Sequence, residues 1–115
     1  MTLQLEEKDL KIAKKLLKME LEGTNSKVYV FGSRVEGTAQ KFSDLDLAID
    51  FNGQKMPTEI KFELENFFEA SNISIRVDIV DLNAISEKFR KIISPSLQEF
   101  SIFKPSEDFD DRQNS

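Results

Sequence analysis

The sequence predicts a two-layer α/β domain, of the α+β type, in which helices pack on a small mixed β-sheet. The first indication is an amphipathic helical pattern over residues 6–21, which is followed by a loop at 23–26. The second is three short apolar segments at 28–31, 45–49 and 73–81, which are rich in β-branched residues and read as strands. Because helical patterns separate and follow these segments, the predicted order is helix, strand, short helix, strand, helix, strand, helix.

Each predicted helix has an apolar stripe that should face the sheet. In the first helix the stripe consists of Leu10, Ala13, Leu16, Leu17 and either Met19 or Leu21. In the helix after Pro57 it consists of Ile60, Leu64, Phe67 and Phe68. In the last helix it consists of Ile85, Phe89, Ile92 and Ile93. Asn83 is the predicted cap of the last helix, and Ser94-Pro95 ends it. The segment from Leu97 to Phe103 is ambiguous: its residues 100–103 fit a closing edge strand, and the segment fits equally well an apolar surface for a partner.

Composition narrows the possible chemistry. The 115 residues include no cysteine and no histidine, which excludes disulfides, thiolate catalysis, cysteine-bound zinc and serine–histidine mechanisms. Catalysis would have to use carboxylates, hydroxyls, lysine, arginine or a bound metal. No signal peptide and no apolar run of membrane-spanning length is present, so the sequence predicts a cytoplasmic protein that does not contact membranes.

Charge divides the chain into a domain and a tail. The net charge is −5, but residues 1–104 hold 15 basic and 17 acidic side chains, so the domain is close to neutral. Residues 105–115 are acidic and poor in apolar side chains, and we predict that they are disordered. An acidic chain is a poor candidate for direct binding of duplex nucleic acid, although a local pocket for a triphosphate stays possible.

The turn after the first strand has the composition of a phosphate site. The strand ends abruptly at Gly32-Ser33, where glycine allows a close approach of a ligand. Ser33 and Glu36 have capping-box spacing, which predicts a short helix whose free N–H groups and hydroxyl would face an anion. An ordinary capped turn is the alternative.

Two aspartates interrupt the second strand. Asp44 and Asp46 are two residues apart, so they project to one face, about 7 Å apart along the strand. Neighbouring carboxylates on an apolar strand repel each other unless a hard cation lies between them. A solvent-facing strand edge is the alternative, and it weakens once the Gly-Ser turn ten residues earlier is considered.

The combined motif resembles that of the DNA polymerase β-like nucleotidyltransferases, and in its form Gly-Ser-Arg-x-x-Gly…Ser-Asp-Leu-Asp it resembles the minimal nucleotidyltransferase (MNT) branch. The resemblance covers most of residues 1–93 and implies the nucleotidyltransferase fold. It also implies a third carboxylate from a later strand. We assign this role to Asp78 rather than Asp81. Asp78 lies in the middle of an apolar strand, where a charged side chain is unexpected unless it has a function, whereas Asp81 lies at the strand end.

The resemblance implies a Mg²⁺-dependent transfer of AMP from ATP. Asp44, Asp46 and Asp78 would be the catalytic residues and would hold two Mg²⁺ ions, while Gly32, Ser33 and Arg34 would bind the nucleotide. Asp78 would also help to deprotonate the acceptor. Arg76, on the predicted face of Asp78, would hold that carboxylate in place or contact a phosphate.

The acceptor is the open question. About twenty residues follow the last predicted helix, too few for an acceptor-binding domain, so we expect a partner protein to supply that surface. Minimal nucleotidyltransferases of this type resemble the antitoxins of type VII-like toxin–antitoxin pairs, which add AMP to a tyrosine of a HEPN-domain toxin. A non-catalytic antitoxin that neutralises its partner by binding, and a nucleotidyltransferase for small molecules such as aminoglycosides, are the alternatives.

Overall fold

The computed structural model describes residues 5–37 and 43–102. The elements, in chain order, are α1 (Glu7–Leu21), β1 (Lys27–Phe31), α2 (Ser33–Glu36), β2 (Leu45–Asp50), α3 (Thr58–Ala70), β3 (Val77–Asp81), α4 (Glu87–Ile93), a 3₁₀ turn (Ser94–Ser96) and β4 (Gln98–Glu99). This order confirms the predicted one and adds a short closing strand. The predicted tail, 105–115, lies outside the described residues.

The four strands form one mixed sheet in the order β3-β2-β1-β4. β1 runs antiparallel to both β2 and β4, whereas β2 and β3 are parallel. In this register Asp46 lies opposite Phe31 on one side and opposite Asp78 on the other. The predicted neighbours, the second and third strands, are therefore adjacent.

The sheet has an apolar core on each face. On one face, Leu45, Leu47 and Ile49 of β2 pack in a cluster with Leu17 of α1 and Leu64 of α3. On the other face, a smaller cluster joins Phe31, Ala48, Leu82 and Ile93. Since side chains alternate along a strand, Asp46 belongs to the face of Ala48 and Asp78 to that of Val80. The sheet register thus brings both aspartates to the α4 side, next to the smaller core.

A buried aspartate that the sequence patterns did not reveal fixes the segment before β3. Asp9 of α1 is almost completely buried and accepts hydrogen bonds from the Ser74 N–H, at 2.9 Å, and from its hydroxyl. The Ile73 N–H donates to the Ser71 hydroxyl. Because these backbone donors bond to side chains, β3 begins at Val77, and its predicted start at Ile73 was wrong.

A second polar network lies at the end of β3. Asp81 is buried and accepts from the Met56 and Asn83 N–H groups at 2.8 and 3.0 Å. Asn83 donates from its side chain to Asp50, and this bond is the main reason that the pKa of Asp50 lies below its usual value. Asn83 is therefore committed to this network, and its predicted role as a helix cap was wrong. Ser86 caps α4 instead, accepting from the Phe89 N–H.

Several apolar residues predicted to point inward are exposed. In α3 the buried row is Leu64 and Phe68, and Phe67 lies outside it with 38% of its surface exposed. In α4 only Ile93 is buried; Phe89 keeps a ring contact with Phe31 but is partly exposed, and Ile92 is 65% exposed. In α1, Leu21 rather than Met19 is buried.

The end of the described chain closes the sheet. β4 pairs with β1, and the Phe100 N–H donates to the Val28 carbonyl at 2.7 Å. A closing edge strand is therefore present, but it lies at Gln98–Glu99, before the predicted strand at 100–103. Phe100 and Ile102, which follow it, are buried in the main core. The alternative use of these two side chains as a partner surface was wrong, because they have little exposed area. Phe103 lies outside the described residues.

The contact between α1 and α3 includes two carboxyl groups. Burial, a hydrogen bond with Glu63 and the charge of Glu63 together raise the pKa of Glu20 to about 7. This pair lies on helices, away from the sheet face that carries Asp46. As to membranes, residues 5–37 and 43–102 contain no helix long and apolar enough to cross a bilayer.

Candidate active site

The turn after β1 places its backbone against the second aspartate of the motif. Gly32 adopts φ 85° and ψ −156°, a region that is essentially restricted to glycine. A Cβ atom at this position would overlap the carboxylate of Asp46. Glycine is therefore required here both by its backbone angles and by the close approach of Asp46. The two halves of the sequence motif meet at this contact.

The helix that follows is a single turn. Gly32 is its N-cap residue and Ser33 its first helical residue, and no side chain caps it, so the predicted capping box of Ser33 and Glu36 was wrong. The N–H groups of Val35 and Glu36 both donate to the Gly32 carbonyl at 3.0 Å, so they are already used. Within the described residues, the Ser33 hydroxyl makes no hydrogen bond. That hydroxyl is therefore a polar group at this turn that can bond an incoming phosphate.

Asp46 and Asp78 lie side by side on parallel strands, and Asp44 lies just before β2. Asp46 and Asp44 are half-buried, whereas Asp78 is exposed. Burial, the charge of Asp78 and the charge of Asp44, in that order, raise the pKa of Asp46 from 3.8 to about 6. Asp46 is thus near enough to both Asp44 and Asp78 for their charges to disfavour its ionised form.

These residues have the chemistry that a hard cation requires. Clustered carboxylates are the protein ligands that Mg²⁺ prefers, and a cation beside Asp46 would offset the repulsion that raises its pKa. Among residues 5–37 and 43–102, however, no group of three or more Asp, Glu, His or Cys side chains forms a ready-made metal cage. Only Asp46 and Asp78 are paired by the sheet, since Asp44 precedes the ladder.

Arg34 is buried rather than directed at solvent. It is 7% exposed, and its Nε and Nη2 atoms donate to the Ser43 carbonyl at 3.2 and 2.8 Å. Ser43 directly precedes Asp44 in the chain. The side chain thus links α2 to the start of the aspartate strand. The Arg34–Ser43 contact was not apparent from the sequence, where Arg34 was predicted to bind the nucleotide.

A cleft of about 500 Å³ opens beside Asp78. Its walls include Arg76 and Val77 on one side and Phe68 and Glu69 of α3 on the other. Arg76 is exposed and forms no ion pair with Asp78 in the described part of the chain. Its backbone carbonyl accepts from the Leu45 N–H at 2.8 Å. Of the two expected roles of Arg76, holding the Asp78 carboxylate therefore has no support in the geometry.

Sequence comparison identifies related proteins. The chain matches the family described as "Polymerase beta, Nucleotidyltransferase" over residues 11–97. The "Probable protein adenylyltransferase MntA" of Haemophilus influenzae is 37% identical over 91 residues, which cover 79% of this chain and 77% of that protein. The "Protein adenylyltransferase MntA" of Thermococcus cleftensis is 38% identical over 65 residues, which cover 56% of this chain and 63% of that protein.

Solved structures share the fold. A crystal structure of a toxin–antitoxin with AMP-PNP matches with a TM-score of 0.65 and 23% identity, covering 87% of this chain and 78% of that chain. A mutant of the toxin–antitoxin MntA-HpeT matches with a TM-score of 0.61 and 27% identity, covering 84% and 72% of the two chains. These matches confirm the predicted fold class, a small mixed sheet with helices packed on it.

Proposed function

The chain belongs to the polymerase β-type nucleotidyltransferase family, and we propose that it is a protein adenylyltransferase that transfers AMP from ATP to a tyrosine hydroxyl of a partner HEPN-type toxin, acting as the antitoxin of the pair. The relatives named as protein adenylyltransferases and the toxin–antitoxin structures support this assignment. The reaction would take place in the cytoplasm. The acceptor residue, the nucleotide and the metal are part of the proposal.

One observation carries the proposal. Gly32 brings the turn after β1 against the Asp46 carboxylate, while the sheet register places Asp78 beside Asp46. An uncommitted hydroxyl, a close backbone approach and adjacent carboxylates are what a site needs to hold a triphosphate next to a divalent cation.

We assign roles by position. Asp44, Asp46 and Asp78 would hold two Mg²⁺ ions, which when bound neutralise charge on the triphosphate and on the attacking oxygen. Gly32 allows the β- and γ-phosphates to lie close to the backbone, and the Ser33 hydroxyl donates to them. Asp78 is the exposed member, so it is placed to accept the proton of an acceptor that reaches the α4 face of the sheet.

The tyrosine oxygen forms a bond to the α-phosphorus of ATP while the bond from that phosphorus to the bridging oxygen of the β-phosphate breaks. Pyrophosphate leaves, and the phenolic proton passes to the Asp78 carboxylate and on to solvent. A tyrosine has a pKa of about 10, so it needs this proton acceptor to attack at neutral pH. The protein otherwise contributes positioning and electrostatics.

Co-expression with the protein encoded beside it tests the function. We expect a stable complex in which intact-mass spectrometry finds the partner heavier by one or more AMP units, with the modification on a tyrosine. The variant carrying both Asp44→Ala and Asp46→Ala should bind the partner but leave its mass unchanged. A fully silenced partner of unchanged mass would instead indicate a non-catalytic antitoxin. Transfer to a purified aminoglycoside without any partner would favour the small-molecule alternative.

Ser33→Ala should separate phosphate binding from folding. No capping bond is lost, because Ser33 is not the N-cap residue of α2, so we expect little change in melting temperature. Transfer should fall about 10²-fold, the usual loss when one donor to a reacting anion is removed. Ser86→Ala is the matched control: it removes the cap of α4 and should cost about 1 kcal/mol of stability without altering transfer. Parent-like transfer by Ser33→Ala would remove Ser33 from the site.

A further inference from the structure

Arg34 connects the two halves of the site through the backbone. Its guanidinium directs two N–H groups at one acceptor, the carbonyl of Ser43, which is nine positions away in the chain. The side chain is 7% exposed, so its charged head does not lie in open solvent where a triphosphate would arrive. The guanidinium therefore contacts the main chain that leads into Asp44.

The sheet holds Asp44 from its C-terminal side only. β2 begins at Leu45, whose N–H is bonded to the Arg76 carbonyl, whereas Asp44 lies before the ladder. Asp46, by contrast, is fixed by neighbours on both sides, Phe31 and Asp78. The direction in which Asp44 projects therefore depends on how the backbone at Ser43 is held. Arg34 supplies two hydrogen bonds at that residue.

We propose that Arg34 is a positioning residue, which sets the Asp44 carboxylate relative to Asp46 and thereby the affinity of the site for a divalent cation with its triphosphate. This role rests on the proposed function of the site. It replaces the expectation that Arg34 contacts the nucleotide itself. Arginine suits the role because its planar fork presents two donors to one oxygen, which a lysine ammonium cannot reproduce in the same geometry.

Arg34→Lys and Arg34→Met test this role in two ways. Lysine keeps the charge and loses the fork. Methionine keeps the stem and removes every donor, so it gives a folded variant even if a displaced ammonium does not. Arg90→Lys is the matched control, because Arg90 likewise donates to a backbone carbonyl, that of Leu82 at 2.9 Å, but lies on α4.

The measurements are Mn²⁺ binding to the free protein and calorimetric titration of ATP with and without Mg²⁺. For both Arg34 variants we expect Mn²⁺ affinity, and the gain in ATP affinity caused by Mg²⁺, to fall about tenfold or more, the usual loss when a residue that orients a metal ligand is changed. Metal-free ATP binding should stay unchanged. Arg90→Lys should leave both metal readouts at the parent value.

Other outcomes would overturn the role of Arg34. An equal loss of ATP affinity with and without Mg²⁺ would indicate direct contact with the nucleotide. A lower melting temperature with unchanged Mn²⁺ binding would indicate a purely structural side chain. If the parent itself shows no effect of Mg²⁺ on ATP binding, the proposed function fails rather than the position of Arg34 within it.

Discussion

Asp46→Asn is expected to reduce the rate of AMP transfer by about 10²–10³-fold. In the absence of metal, the same substitution is expected to raise the melting temperature of the free protein at pH 8. The loss of transfer follows from the removal of a carboxylate that would hold the metal. The gain in stability follows from the raised pKa of Asp46, about 6 against 3.8. Burial and two neighbouring carboxylates make its ionised form costly in the folded protein.

The stability difference between Asp46→Asn and the parent should grow as pH rises. Because the folded-state pKa of Asp46 is raised, its contribution to stability is fully present below about pH 4 and is lost as pH rises through about 6. Asparagine stays neutral, so the variant should melt above the parent at pH 8 and close to it at pH 4. Thermal melts in chelator at both values measure this difference. A variant that melts below the parent at pH 8 would contradict the assignment of repulsion at this site.

Glu20→Gln is the matched control for these melts. The pKa of Glu20 is raised to about 7 by burial and by Glu63, so its substitution should also stabilise the protein at pH 8 relative to pH 4. Glu20 lies on α1, outside the proposed site, and transfer should match that of the parent. Stabilisation in both variants, with loss of transfer in only one, would assign the catalytic effect to Asp46 itself.

Gly32→Ala should be the most damaging single change in the turn. The new Cβ would meet the Asp46 carboxylate, and the backbone angles at this position are unfavourable for any other residue. We expect a cost of about 1–3 kcal/mol in stability and a loss of transfer of about 10²-fold or more, since small displacements of reacting groups have effects of that size. Transfer assays on protein shown to be folded by circular dichroism separate the two effects.

Gly37→Ala provides the comparison within the same turn. Gly37 has the same φ of 85°, but it adopts the left-handed helical region, and its added Cβ would meet no atom of residues 5–37 or 43–102 within 4 Å. The cost should be about 1–2 kcal/mol of stability with nearly unchanged transfer. Equal losses of transfer in both variants would mean that backbone strain, rather than contact with Asp46, limits activity.

Much of the fold could be predicted because its signals are local. The β-branched segments, the helical stripes and the spacing between Gly32-Ser33 and the aspartates are read directly along the chain. Choosing Asp78 over Asp81 also rested on a local rule, and the structure gives Asp81 a separate, buried role as an acceptor of two backbone N–H groups. The assignment of Asp78 to catalysis stays a prediction.

What the sequence could not reveal depends on contacts distant along the chain. No local sequence pattern marks Asp9 and Ser74, or Arg34 and Ser43, as hydrogen-bond partners, although both pairs are bonded in the structure. The helical periodicity identifies the apolar face of a helix but does not determine which residues at the boundary of that face are buried. Phe67 and Ile92 were therefore predicted to be buried, although they are exposed. In each case the tertiary arrangement decided between options that were locally equivalent.

The most direct test of the central claim follows the phosphate of ATP. Purified partner is incubated with this protein, Mg²⁺ and ATP labelled either at the α-phosphate or at the γ-phosphate. We predict that only the α-label becomes attached to a tyrosine of the partner, that pyrophosphate is released, and that Asp46→Asn abolishes both. Attachment of the γ-label would show phosphoryl transfer, and absence of any label on a partner that is nevertheless silenced would show that the protein acts by binding alone.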